Sequence, residues 1–180
     1  KEAVIPEGAS IIPKSQFFGC RSLEKVCLPE SVSVIEDYAF ADCNVLKVWE
    51  SMEKLSLKSV GISAFENCYA LEFISLPDSL TVIEGAAFAD CVSVNKLIFS
   101  DTSLLKKIGD HAFRGCRNLK EVYLPDGVEY VGISAFRDCV SLEQISVSEK
   151  IKHQPGIAEL EKNCPNARIR FREVNSVEEE

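Results

Sequence analysis

The sequence predicts an α/β solenoid, a stack of short units that each contribute one strand and one short helix or turn. Seven of its eight cysteines recur at alternating intervals of 23 and 25 residues. Phe stands three residues before six of these cysteines. Fixed spacing of this length is typical of repeat architectures. The regularly spaced cysteines, termed the cysteine column, are Cys20, Cys43, Cys68, Cys91, Cys116, Cys139 and Cys164.

Composition limits the possible functions of the chain. Its 180 residues are 46% apolar and 27% charged, which suits a single domain with a sizeable core. A net charge of −8 argues against binding nucleic acid or an anionic membrane surface. No apolar run approaches the roughly 20 residues of a membrane-spanning helix. The sequence therefore predicts a protein that neither binds nucleic acid nor inserts into a membrane.

Each unit shows the same order of elements. Apolar residues three, six and eight positions after a cysteine, such as Leu71, Ile74 and Leu76, predict a strand with one buried face. Every second unit has two extra residues in its second half, so the true period is a 48-residue pair. The residue before each cysteine is a type that tolerates a left-handed backbone, which predicts the end of a short helix. These residues are Gly19, Asp42, Asn67, Asp90, Gly115, Asp138 and Asn163.

The two ends depart from the repeat. We predict a single solenoid over residues 1–172, in which 151–172 form a C-terminal cap with a helix from Ile157 to Asn163 and a strand from Arg168 to Phe171. Residues 173–180 are acidic and read as a frayed tail. The chain begins mid-unit at Lys1 rather than at Met, which indicates a processed form or a segment of a longer protein.

Three segments carry a family resemblance: LPESVSVIEDYAFADC, LPDSLTVIEGAAFADC and LPDGVEYVGISAFRDC. They resemble the BspA-type leucine-rich repeat, and the resemblance covers roughly residues 3 to 150. It implies a leucine-rich-repeat fold, a right-handed solenoid with its parallel strand sheet on the concave side. The 25-residue units depart from the pattern because they lack its Leu-Pro pair. The family is common on microbial surfaces and is often assigned to adhesion or host-protein binding.

The outward strand positions are the candidate binding surface. By alternation they face away from the core, and four apolar side chains occur on four consecutive units. Such a group on an exposed sheet is typical of a protein-binding patch, although strand propensity alone also favours these residue types. The candidate residues are Val48, Phe73, Ile98 and Tyr123, with Glu50, Lys96 and Glu121 beside them.

The cysteine column and an acidic column each have two interpretations. Thiols stacked about 4.8 Å apart suit buried structural side chains better than disulfides, whose Cβ atoms lie about 3.8 Å apart. We therefore predict buried, unbridged cysteines, and Cys27, off the column, as a surface thiol. The acidic column is consistent either with acidic residues in turns or with a row of carboxylates that binds a basic partner or calcium. It comprises Glu7, Glu30, Glu53, Asp78, Asp101, Asp126 and Glu149.

No catalytic constellation appears in the sequence. Neither His111, expected on a helix surface, nor His153 has a nucleophile and base placed beside it, and no phosphate-binding glycine loop occurs. We expect a non-catalytic module without metal or cofactor that binds a protein ligand. The resemblance implies a cell-surface or secreted protein. The alternatives are an intracellular scaffold docked onto a larger assembly, which free thiols would suit, and the recognition segment of a multidomain protein.

Overall fold

The computed structural model describes residues 1–50 and 55–173, and of residues 48–50 it describes the backbone only. The chain coils into a parallel β-solenoid of about seven turns, each of which we call a rung. Most rungs contribute two short strands, one to each of two parallel sheets. The first sheet contains β1 (Glu2–Val4), β3 (Lys25–Cys27), β5 (Val48–Glu50), β7 (Phe73–Ser75), β9 (Lys96–Ile98), β11 (Glu121–Tyr123), β13 (Gln144–Ser148) and β14 (Arg168–Arg172). The second contains β2 (Ile11–Ile12), β4 (Val34–Ile35), β6 (Ser59–Val60), β8 (Val82–Ile83), β10 (Lys107–Ile108) and β12 (Tyr130–Val131).

The register of both sheets follows the repeat. Lys25 is paired with Val48 in the first sheet, and Ile35 with Val60 in the second. Side chains that occupy the same position in successive units therefore stack in columns. The first sheet forms three hydrogen-bonded groups, β1–β3–β5, β7–β9 and β11–β13–β14, and β9 contacts β11.

A column of phenylalanines runs through the core between the sheets. Phe40, Phe65, Phe88, Phe113 and Phe136 are fully buried, and each ring is stacked on the next with centroids 5.0 to 5.5 Å apart. Leu, Ile and Val side chains from both sheets surround this column. Full burial of one such side chain contributes roughly 1.5–3 kcal/mol. The Phe column is therefore a large part of what holds neighbouring rungs together.

The segment around each Phe forms turns and not the short helix that the sequence suggested. Two residues in most units adopt left-handed φ angles, five positions and one position before the cysteine, as at Tyr38 (58°) and Asp42 (60°). Such residues interrupt a right-handed helix. Their N–H groups instead donate to the following rung: Tyr38 to the carbonyl of Ile62, and Asp42 to that of Glu66. Only the second of these left-handed positions was predicted from the sequence.

The two extra residues of the longer units fall in the loop between the two strands. Nine positions separate Ile98 from Lys107, whereas seven separate Ser75 from Val82 in the preceding unit. In the last 25-residue unit a 3-10 helix, Glu149–Ile151, occupies this place. In the unit that precedes Cys68, residues 51–54 of the same loop lie outside the described residues.

The cap contains two short helices where the sequence predicted one longer helix. These are α1 (Pro155–Ala158) and α2 (Leu160–Asn163), separated by Glu159. Asn163 ends α2 and does not have the left-handed conformation predicted for it. The predicted final strand forms as β14 and extends to Arg172, and residues 174–180 of the predicted tail lie outside the described residues. Among the described residues, no helix has the length and apolar character needed to cross a membrane.

Candidate binding surface

The outward face of the first sheet is produced by strict alternation along three-residue strands. Outside β5, the middle residue of each three-residue strand points inward, and Val26, Ile74 and Val122 are buried. The residues on either side point to solvent. On the central strands Phe73, Ile98 and Tyr123 have 42%, 36% and 51% of their surface exposed. Three large apolar or aromatic side chains thus lie on one face of the sheet, on strands that are paired as β7 with β9 and β11 with β13.

The register places these side chains at two different heights on the face. Phe73 is paired with Lys96, and Ser75 with Ile98, so Phe73 and Ile98 are diagonal neighbours and not direct ones. Tyr123 stands at the third position of β11, as Ile98 does in β9. Exposed Lys96 and Glu121 occupy the first positions of these strands. The side chains of Val48 and Glu50, the remaining candidates, lie outside the described residues.

Hydrogen bonds hold parts of this face in place. The amide of Gln144 donates to the Tyr123 hydroxyl at 2.9 Å. Ser146 occupies an outward position of β13 by alternation but is buried, because the strand pairing places it between Tyr123 and Arg170. The face is therefore most open over β7, β9 and β11.

Cys27 takes part in a small polar cluster at the first rung. Its thiol donates to Glu2 at 3.1 Å, and the Lys25 ammonium lies 3.5 Å from the same carboxylate. The hydrogen bond from Cys27, followed by the charge of Lys25, lowers the pKa of Glu2. Cys27 is half-buried, so it is less accessible than the surface thiol expected from the sequence.

Three carboxylates of the acidic column have polar or charged partners of their own. Asp78 accepts hydrogen bonds from the hydroxyls of Ser100 and Thr102, which lower its pKa. Asp126 is bonded to Arg172 at 2.8 Å, and Glu149 to Lys152. Glu53 lies outside the described residues. Within residues 1–50 and 55–173, no cluster of three or more His, Cys, Asp or Glu side chains is close enough to hold a metal ion.

Neither histidine lies on a helix, although the sequence suggested a helix surface for His111. His111 occupies the first left-handed turn position, with φ of 58°, and is half-buried. Its Nδ1 is buried and has no hydrogen-bond partner among the described residues. His153 is exposed in the turn that precedes α1. The structure brings neither histidine into the exposed face of the first sheet.

A shallow depression over the second sheet was not anticipated from the sequence. It encloses about 540 Å³ and is lined in part by Ile62, Glu84, Lys107 and Tyr130. The ammonium of Lys107 is paired with Glu84 at 2.8 Å across it. Strands of two residues are too short for alternation to reveal an outward face, so the sequence carried no usable signal for this surface.

The sequence matches a model of the BspA type leucine rich repeat region in six copies, over residues 1–104 and 49–158. The chain belongs to the BspA-type leucine-rich repeat family. The match covers most of the chain and extends into the predicted cap. Among curated proteins, none matches this BspA-type chain.

Several solved structures are similar to this BspA-type solenoid. A T. pallidum leucine-rich repeat protein is 26% identical with a TM-score of 0.58, over 97% of this chain and 74% of that one. The pneumococcal vaccine antigen PcpA is 30% identical with a TM-score of 0.63, over 71% of this chain and 31% of that one. A leucine rich cell surface protein from Faecalibacterium prausnitzii has the same fold at 23% identity and a TM-score of 0.60, over 97% and 60%. The chain therefore spans less than two thirds of the last two proteins.

The cysteines of the BspA-type units make one repeated contact. From Cys43 onward, each column thiol donates to the carbonyl oxygen of a Phe in the preceding unit, at 3.0 to 3.4 Å. All eight cysteines are free. Burial raises the pKa of the Cys43 thiol to about 12 and that of Cys164 to about 11. Cys20 is exposed because it stands on the first rung, which contradicts the expectation that all seven column thiols are buried.

Proposed function

We propose that this chain is a non-catalytic protein-recognition module that binds its partner with the outward face of the first sheet. The observation that carries the proposal is the exposure of Phe73, Ile98 and Tyr123 on adjacent central strands. Aromatic and aliphatic side chains in such a group are typical anchors of protein interfaces. The strands are held by parallel pairing, β7 with β9 and β11 with β13, so little conformational entropy is lost when a partner binds.

Charged side chains beside Phe73, Ile98 and Tyr123 form a polar rim around the proposed apolar contact. Lys96 and Glu121 are exposed and lie on the same strands as Ile98 and Tyr123. Residues of both signs next to an apolar centre select partners by charge complementarity more than they add affinity. We include Val48 and Glu50 in the proposed surface from their positions in the repeat.

We further propose that the module acts at the cell surface, in adhesion or host-protein binding. The support is the family and the printed description of the F. prausnitzii relative as a cell surface protein. An intracellular scaffold is the second candidate, because eight free cysteines suit a reducing compartment. Burial of six of these thiols also protects them from oxidation, so free cysteines are compatible with the cell surface too.

The binding proposal is tested with the double variant Phe73→Ser/Tyr123→Ser. Immobilised wild-type chain and variant are incubated with labelled host-cell surface proteins, and the captured proteins are compared. We expect the variant to lose the proteins that the wild type retains, because both anchors have been removed. Thermal unfolding of the two proteins checks that the fold is unchanged, since both side chains lie outside the core.

The matched control is Ile62→Ser/Ile133→Ser, which removes two exposed apolar side chains beside the second sheet. We expect this control to capture the same proteins as the wild type. Equal capture by all three proteins, or loss in the control alone, would show that the first-sheet face is not the binding surface.

A further inference from the structure

Strand β14 carries three arginines on one face in a chain of net charge −8. Its sequence is RIRFR, and Arg168, Arg170 and Arg172 are paired in register with Gln144, Ser146 and Ser148 of β13. Alternate residues of a strand share a face, so the Cα atoms of neighbouring arginines lie about 6.6 Å apart. The arrangement concentrates positive charge at the C-terminal end of the first sheet.

Among the described residues, Arg172 alone of the three arginines has an acidic partner. Arg172 donates to the Asp126 carboxylate at 2.8 Å and to the carbonyl of Leu124, which anchors β14 to the preceding rungs. Arg168 and Arg170 are exposed, and neither has an ion pair with any acidic side chain in the described parts of the chain. Their charge is available to a ligand.

One edge of β14 has no strand paired with it within residues 1–50 and 55–173. The strand is the last of its group, in the order β11–β13–β14. The N–H of Arg168 donates to Glu143 on the β13 side at 2.7 Å. By strand alternation, the N–H and C=O groups of Ile169 and Phe171 point to the opposite edge. Edge groups of this kind accept an additional strand from a binding partner.

The two faces of this edge differ in chemistry. The arginines lie on the outward face, whereas half-buried Ile169 packs against the core and Phe171, on the same side, has 44% of its surface exposed. An added strand would place alternate side chains beside the arginines and the others beside Phe171. Opposite charges beside one another stabilise such a pair, and like charges destabilise it. The complementary segment has acidic and apolar residues in alternation.

We propose that the free edge of β14 binds an extended segment of a partner protein in which acidic and apolar residues alternate. The segment adds one strand to the first sheet, with its carboxylates beside Arg168 and Arg170 and its apolar side chains over Phe171. The same arginines disfavour pairing between the β14 edges of two copies, because they place like charges side by side. This site is separate from the Phe73–Tyr123 face, so each proposal can fail without the other.

The test uses a fluorescent peptide of alternating Glu and Val and a matched peptide of alternating Lys and Val. Binding to the full chain, including its acidic C-terminal residues, is measured by anisotropy. We expect the Glu–Val peptide to bind and the Lys–Val peptide not to bind. The variant Arg168→Gln/Arg170→Gln should bind the Glu–Val peptide about tenfold more weakly, because it lacks two exposed positive charges. The control Arg117→Gln/Lys120→Gln removes two exposed positive charges elsewhere and should bind as the wild type does.

Two further ligands separate strand addition from attraction to any polyanion. A Glu–Pro peptide keeps the carboxylates but lacks the N–H groups needed for pairing, and we expect it to bind much more weakly than Glu–Val. Heparin represents a sulfated polysaccharide. The proposal is overturned if Glu–Pro binds as tightly as Glu–Val, if the arginine variant retains full affinity, or if heparin binds through these arginines while Glu–Val does not bind.

Discussion

The thiol of Cys91 donates a hydrogen bond to the carbonyl oxygen of Phe65, one rung earlier, at 3.2 Å. The contact joins the two most regular columns of the repeat, one of thiols and one of aromatic rings. The same carbonyl also accepts the backbone N–H of Cys68 at 3.2 Å, so the thiol and the amide share the two lone pairs of one buried oxygen. Cysteine suits the position because its side chain is small, apolar and a weak donor.

Thiol labelling should divide the cysteines into two classes. Cys20 is exposed and Cys27 half-buried, whereas the other six are buried. We expect a thiol reagent to modify Cys20 readily and Cys27 more slowly in the native protein, and all eight cysteines after denaturation. Mass spectrometry of the labelled peptides identifies the sites. Native labelling of Cys91 at the rate of Cys20, or a disulfide within the column, would contradict this arrangement.

Stability should fall at alkaline pH because of the buried thiols. Burial raises the pKa of Cys68, Cys91, Cys116 and Cys139 well above its ordinary value, whereas an unfolded cysteine has a pKa of about 8.5. Below that pH both states hold the proton and stability is unaffected by these groups. Above it the unfolded state alone loses the proton, so the free energy of unfolding decreases as pH rises.

Urea unfolding midpoints at about pH 8, 9 and 10 measure this effect. Each buried thiol adds up to about 1.4 kcal/mol per pH unit to the decrease. Cys91→Ala should therefore show a shallower pH dependence than the wild type, and Cys20→Ala the same dependence. Identical slopes for all three proteins would show that the column thiols do not cause the loss.

Phe88→Ala should destabilise the protein by roughly 3–5 kcal/mol, because it leaves a cavity in the middle of the ring stack. Phe88 is fully buried between Phe65 and Phe113. Phe17→Ala, at the first rung, is the control and should cost less, since Phe17 is only half-buried. Chemical denaturation monitored by circular dichroism gives both values. Equal losses at the two positions would argue against a stack that is tightest at its centre.

Gly132→Ala should be severely destabilising, whereas Gly85→Ala should be tolerated. A Cβ atom at Gly132 would clash with the backbone nitrogen of Asp110 on the preceding rung, so the two rungs would have to separate. At Gly85 the nearest atom, the carbonyl oxygen of Asp110, would be 3.4 Å away. Melting temperatures compare the two variants. A small effect at Gly132 would mean that the rungs can move apart without much loss of stability.

Glu159→Ala should lower stability by about 1–2 kcal/mol. The Glu159 carboxylate accepts the backbone N–H of Ser134 at 3.1 Å and its hydroxyl at 3.3 Å. It replaces the carbonyl that a further rung would supply at this left-handed position. Glu161→Ala removes an exposed carboxylate from α2 and is the matched control. If both variants unfold at the same urea concentration, Glu159 does not stabilise the last rung.

The repeat made the first sheet and the core predictable. A three-residue strand such as β9 still shows which side chains face inward, and seven cysteines in register exclude a chance pattern. The second sheet was missed because a strand such as β8 has only two residues. The left-handed position of Tyr38 and Ala86 was missed because neither residue type favours that conformation.

End effects account for the remaining differences. Cys20 has the same sequence context as the other column cysteines, yet it is exposed because only its following rung is present beside it in the structure. Ser146 follows the outward alternation but is buried, because β14 adds a strand that the repeat pattern does not contain. A pattern read from internal units cannot report what covers the first and last of them. The role of Phe73, Ile98 and Tyr123 in binding stays a prediction.

The hydrogen bonds of the left-handed segments all run in one direction. The N–H groups of His111, Phe113 and Gly115 donate to carbonyls of the next rung, and equivalent positions of earlier rungs do the same. The corresponding peptide dipoles are therefore aligned along the solenoid axis and add together, as they do in an α-helix. The end that carries the partial positive charge is the one where the Glu159 carboxylate lies. The solenoid thus has an electrical polarity, and its cap places a negative charge at the positive pole.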